Sequence, residues 1–105
     1  MIISGGENVY PSEIENLLGR FPGVKDVAVI GIPHEKWGES VHAVIVLHDD
    51  GATTEAEVLE WCRDKIAGYK RPRSIAFIDE SDMPRTATGK ILHRVLRDRF
   101  GQGRS

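Results

Sequence analysis

The sequence predicts a small α+β domain: a three-stranded sheet packed with about three helices, plus a short N-terminal hairpin or strand. Three observations lead there. The chain has 105 residues, which suits one domain around a single core. Apolar residues recur at helical spacing in some segments and form β-rich runs in others. The resulting order of helix, strand, strand, helix, strand, helix is that of a compact layered α+β unit.

The first helix is predicted from about Pro11. Proline tolerates the first helical position, and Glu13 favours the positive end of the helix dipole. Ile14, Leu17, Leu18 and Phe21 make its apolar stripe, and Gly19, Pro22 and Gly23 stop it near Arg20. Val24 to Ile32 is rich in β-branched residues and apolar on both alternating sets, as in a central strand covered on two faces, with Pro33 ending it. Val41 to Leu47 is a second strand, closed by the turn signal Asp49-Asp50-Gly51.

Thr54 and Glu57 have capping-box spacing, so a second helix is expected with Val58, Leu59, Cys62 and Ile66 on its inner side and Gly68 as its terminator. Ser74 to Ile78 reads as a short third strand, and Asp79 to Gly89 as an irregular loop. Ile91, Leu92, Val95, Leu96 and Phe100 return to helical spacing. The domain is expected over residues 1–100, with 101–105 as a disordered polar tail.

Composition excludes several classes. Apolar residues make up 40% and charged residues 29% of the chain, and the net charge is -2. That balance is globular, and it supplies no overall positive field for nucleic acid or an anionic membrane. No run of about 18 apolar residues suggests a membrane span. Cys62 is the single cysteine, which rules out an internal disulfide and suits a reducing, cytoplasmic setting. His34, His42, His48 and His93 lack paired metal spacing, and Cys62 lies on an apolar stripe, so neither a metal site nor thiol catalysis is expected.

Three segments could carry chemistry. Pro84-Arg85-Thr86-Ala87-Thr88-Gly89-Lys90 puts an ammonium at the start of a predicted helix, where the dipole disfavours a cation by roughly 0.3–1 kcal/mol. Glycine beside it lets a ligand approach, and the ammonium offers three donors to carboxylate or phosphate oxygens; a solvated surface lysine satisfies the same spacing. A nucleotide P-loop does not, because it requires Gly at Pro84 and Ser or Thr at Ile91. Gly5-Gly6 either makes a turn or admits a thin ligand along the backbone. Tyr69-Lys70-Arg71-Pro72-Arg73, with Trp37, reads either as a phosphate clamp beside a stacking surface or as a solvated basic loop.

Taken together, Gly5-Gly6-Glu7-Asn8-Val9-Tyr10-Pro11-Ser12-Glu13-Ile14-Glu15 and Pro84-Arg85-Thr86-Ala87-Thr88-Gly89-Lys90-Ile91-Leu92 resemble the two signature motifs of the C-terminal lid domain of acyl-CoA synthetases, in the AMP-binding, adenylate-forming superfamily. The intervening Gly31 to Glu39 and Tyr69 to Pro72 segments fit as well, so the resemblance spans nearly the whole chain. It implies an enzyme that makes an acyl-adenylate from a carboxylic or fatty acid and Mg-ATP, then turns the small domain and transfers the acyl group to CoA. Lys90 would be the adenylation lysine. Gly5 and Gly6 would flank the pantetheine channel, and Trp37, Tyr69, Arg71 and Arg73 would meet the CoA nucleotide.

The resemblance also implies a large N-terminal adenylate-binding domain as partner, holding the phosphate loop, the adenine pocket and the acyl pocket. The chain is therefore expected to be an excised domain or a natural split subunit, inactive alone. A stand-alone CoA- or phosphate-binding module and the C-terminal domain of another adenylating enzyme are the alternative readings.

Overall fold

The computed structural model of the protein describes residues 1–48 and 53–101. The Asp49-Asp50-Gly51 turn and residues 102–105 of the expected tail lie outside the described residues.

In chain order the elements are β1 (Ile2–Ser4), β2 (Glu7–Val9), α1 (Pro11–Leu18), β3 (Val24–His34), β4 (Gly38–Leu47), α2 (Glu55–Cys62), β5 (Ser74–Phe77) and α3 (His93–Gly101), with 3-10 turns at Gly68–Lys70 and Glu80–Asp82. The sheet has five strands rather than three. Ser4 pairs with Gly38, which joins the N-terminal hairpin to the far end of β4, and β5 runs parallel to β4 from His42 to Ile45. The backbone of the domain is the long antiparallel β3–β4 ribbon, paired from Val24↔Leu47 to His34↔Gly38 with one irregularity between Val24 and Asp26.

Alternation along the ribbon divides the core into two layers. Val27, Val29, Val41, Ala43 and Ile45 face Ile14 and Leu18 of α1 and Val58 and Cys62 of α2. Ala28, Ile30, Val44 and Val46 face Leu96 of α3 and Met83. Both faces are thus covered, as the apolar run at Val24 to Ile32 implied.

That run is nevertheless not central: β4 occupies the middle, and among the described residues β3 pairs only with β4. Double coverage comes from helices on both faces, which the pattern of side chains cannot distinguish from flanking strands. Nor does Pro33 end β3, which continues to His34. Val29 donates its N–H away from β4, to Glu15. With a strand period of two, the N–H that Pro33 lacks would point the same way, so no ladder bond is lost.

Three further boundaries differ from expectation. The second strand starts at Gly38, whose φ of +81° turns the chain back after a short loop. Helix α2 opens on the expected Thr54–Glu57 capping box but stops at Cys62, and Gly68 begins a 3-10 turn instead of capping the helix. Helix α3 begins at His93, after Lys90, and includes Gly101, which the sequence assigned to the tail.

Candidate functional site

Lys90 sits in a loop folded on itself. Thr86 N donates to Lys90 O at 2.8 Å, Gly89 N to Thr86 O at 2.9 Å, and Lys90 N to the Thr86 hydroxyl at 3.1 Å. Arg85 and Ile91 form a bridge at the loop's neck. Gly89 has φ +92°, a left-handed conformation that side chains rarely adopt. Lys90 itself is exposed, and among the described residues its ammonium makes no hydrogen bond or ion pair. Since α3 starts three residues later, the dipole penalty expected for this lysine does not apply, because that field fades within the first turn.

Gly5 and Gly6 are the two-residue tip of the β1–β2 hairpin, with φ +59° and +84°. Positive φ at both central positions is what a tight hairpin turn of this hand requires. Gly5 N donates to Trp37 O at 3.0 Å, which docks the tip on the β3–β4 turn. A side chain at Gly6 would meet nothing within 4 Å. The turn reading of the pair is therefore correct, and the space beside Gly6 is also open.

Trp37 lies in that same corner. The His34 ring stacks on it at 4.4 Å and 19°, and the Arg73 guanidinium carbon stands 3.6 Å from the Trp37 ring centre. A base stacking on Trp37 would compete with these two groups for the indole. His34 also accepts from the backbone N–H of Lys36 at 3.1 Å, which holds the loop shape.

Arg71 and Arg73 line a shallow groove of about 300 Å³ with Leu59, Gly68 and Pro72. Tyr69 is exposed on the 3-10 turn beside β2. Lys70 is not part of a loose basic loop: it pairs with both carboxylate oxygens of Glu13 at 3.1 Å, and that hydrogen bond raises its pKa above the usual 10.5.

Six of the seven candidate residues therefore gather at one corner: Gly5, Gly6, Trp37, Tyr69, Arg71 and Arg73. Lys90 is not among them. Its neighbour Arg85 pairs with Asp26, at the opposite end of β3 from His34. Eight residues of extended strand separate Asp26 from His34, about 26 Å at 3.3 Å per residue. The sequence reading missed Asp26, Glu15 and His34, whose roles depend on partners that only the folded chain supplies.

The family model for the AMP-binding enzyme C-terminal domain matches residues 13–90. The chain belongs to that family. Among curated relatives of this AMP-binding C-terminal domain, a long-chain-fatty-acid–CoA ligase of Mycobacterium tuberculosis is 50% identical over 100 residues, 95% of this chain and 19% of the ligase. A feruloyl-CoA synthase of Amycolatopsis sp is 50% identical over 101 residues, 96% of this chain and 20% of the synthase. Among solved structures, ATP-bound MatB from Rhodopseudomonas palustris superposes with a TM-score of 0.91 at 40% identity, covering 98% of this chain and 20% of MatB. The domain thus spans about a fifth of the length of the relatives it matches.

Among the described residues, no three His, Cys, Asp or Glu side chains could together hold a metal ion, and no helix is long and apolar enough to cross a membrane.

Proposed function

We propose that this chain is the mobile C-terminal lid of an ATP-dependent acid:CoA ligase and that it serves the two half-reactions with its two opposite ends. One observation carries the reading: Lys90 is tied through Arg85 to Asp26, towards one end of a ribbon whose other end, at His34, carries the Gly5–Trp37–Arg73 corner, and Asp26 and His34 stand about 26 Å apart along the strand. A single active site in a partner domain can meet only one end at a time. The lid must turn to present the other.

In the first orientation a carboxylate oxygen attacks the α-phosphorus of ATP and pyrophosphate leaves. The Lys90 ammonium, exposed and without a partner among the described residues, would donate to the carboxylate and to the α-phosphate oxygens as their charges are brought together. It supplies charge and position and takes no proton. Magnesium would enter with ATP; among the described residues no three His, Cys, Asp or Glu side chains could hold it.

In the second orientation the thiol of CoA attacks the acyl carbonyl and AMP leaves. The bare hairpin tip at Gly5–Gly6 leaves room for the pantetheine arm, while Arg71 and Arg73 face the nucleotide phosphates. The N-terminal adenylate-binding domain supplies the remaining site, and the reducing cytoplasm suits the buried free thiol of Cys62.

The test is the pair of half-reactions in a full-length ligase carrying this domain. Lys90→Ala should slow adenylate formation by about 100- to 1000-fold, the scale of losing one transition-state donor. Thioester formation from supplied acyl-adenylate should be spared. Equal loss of both half-reactions, or of neither, refutes the role given to Lys90.

A further inference from the structure

The hydrogen bonds inside loop 86–90 fix its shape but not its place on the domain. Its neck is anchored by Met83 and Ile91 in the core and by Leu92 N on Pro84 O, and the side of the loop that carries Gly89 is tied down by a polar chain that starts on the sheet. The Asp26 carboxylate accepts from Val27 N at 2.9 Å, which holds it against the start of β3. Its other oxygen pairs with Arg85 Nη2, and Arg85 Nη1 donates to the carbonyl of Gly89 at 3.2 Å. Gly89 precedes Lys90. Both side chains of the pair are half-buried, 28% and 30% exposed, so they are only partly screened by water.

From this geometry we propose that Arg85 and Asp26 are positioning residues for adenylation, a role that rests on the reading of Lys90 given above. The guanidinium bridges the rigid ribbon and the last peptide before the reacting lysine. It thereby converts the stiffness of β3 into a fixed height and direction for the ammonium. Only a planar fork reaches both acceptors at once; a lysine at position 85 can pair with one.

The experiment again separates the half-reactions in the full-length ligase. Arg85→Met keeps the apolar stem and removes the fork, and Asp26→Asn removes the anchoring charge. Each should slow adenylation by about tenfold to hundredfold, the scale on which a misplacement of about 1 Å acts, while thioester formation from supplied adenylate stays within about twofold. Arg85→Lys should recover part of the loss. Added to Lys90→Ala, Arg85→Met should cost nothing more, because there is no ammonium left to place. Amide exchange at Gly89 and Lys90 should quicken in Arg85→Met while the β3 and β4 amides stay protected.

Adenylation unchanged in Arg85→Met, beside a Lys90→Ala variant that loses it, overturns the clamp and leaves the reading of Lys90 standing. Both half-reactions falling together with the melting temperature also overturns it, since the pair would then be merely structural. If Lys90→Ala itself spares adenylation, the reading of Lys90 fails and the clamp falls with it.

Discussion

Glu15 is the residue whose loss should reveal how this sheet tolerates a bare edge. One carboxylate oxygen accepts from Val29 N at 2.9 Å and lies 2.6 Å from His93 Nε2. It therefore satisfies an outward-facing amide of β3 and ties α1, on one face of the sheet, to the first residue of α3, on the other. Val29 is fully buried, so in Glu15→Ala its N–H loses a partner that water replaces poorly. An orphaned buried donor costs about 1–3 kcal/mol. Taking the middle of that range, Tm should fall by about 8–16 °C, at 4–8 °C per kcal/mol for a domain of this size. Glu15→Gln keeps an oxygen that can accept both hydrogen bonds and loses only charge on a pair that is 22% and 34% exposed, so it should cost under about 1 kcal/mol. Thermal unfolding of the 105-residue chain followed by circular dichroism reads both values. If Gln destabilises as much as Ala, charge and not hydrogen-bond acceptance is what the edge needs, and the argument fails; so it does if Ala shifts Tm by less than about 2 °C.

The other predictions concern backbone and thiol. Gly89→Ala adds a methyl that meets nothing within 4 Å, so its effect is strain at φ +92° alone: about 1–2 kcal/mol, seen as faster amide exchange confined to the Lys90 loop. Loss of protection across β3 and β4 would contradict that. Cys62 is buried, and burial, against smaller opposing effects of Lys65 and Arg71, raises its pKa above 9.0. The native thiol should accordingly resist iodoacetamide at neutral pH and react on unfolding. Because the folded pKa lies above the unfolded one, the thiol's contribution to stability is full below about pH 9 and is lost as pH rises through the folded value. Denaturant titrations of wild type and Cys62→Ala should converge at alkaline pH, and a constant difference would count against it.

What the sequence disclosed follows the range of the interactions involved. The Thr54–Glu57 capping box forms as its spacing implied, with Glu57 N on the Thr54 hydroxyl at 3.2 Å and Thr54 N on the Glu57 carboxylate at 3.3 Å, because every atom involved lies within one helical turn. The apolar stripes at Ile14 and Leu18 and at Val58 and Cys62 were legible for the same reason. The place of β3 at the sheet edge was not, since helices and neighbouring strands bury a side chain equally well. Ile91 and Leu92 continue the periodicity of α3 in sequence, yet the bridge from Arg85 to Ile91 and the bond from Leu92 N to Pro84 O at 2.9 Å hold them outside the helix. At the candidate site, the motifs named Lys90, Gly5 and Gly6. The contacts that place them run between residues as far apart as Gly5 and Trp37, or Asp26 and Arg85, and carry no local signal.

The length of the ribbon bears on how the proposed lid works. A loop or a hinged pair of strands could bring Lys90 and the hairpin tip toward one site by bending. The β3–β4 pair cannot, because its register runs from Asp26↔Val46 to His34↔Gly38 without interruption and helices pack on both faces. Bending it would break ladder bonds and open a close-packed core. Motion on the proposed reading must therefore lie outside the domain, in its connection to the partner, and the domain should move as one body. Two disulfides engineered to lock this domain onto its partner in each orientation would separate the half-reactions: the lock that presents Lys90 should retain adenylation alone, and the lock that presents Gly5–Gly6 should retain thioester formation alone. A single lock that supports both at wild-type rates would show that one site can be served by both ends of the ribbon without a turn, and the two-ended account would be wrong.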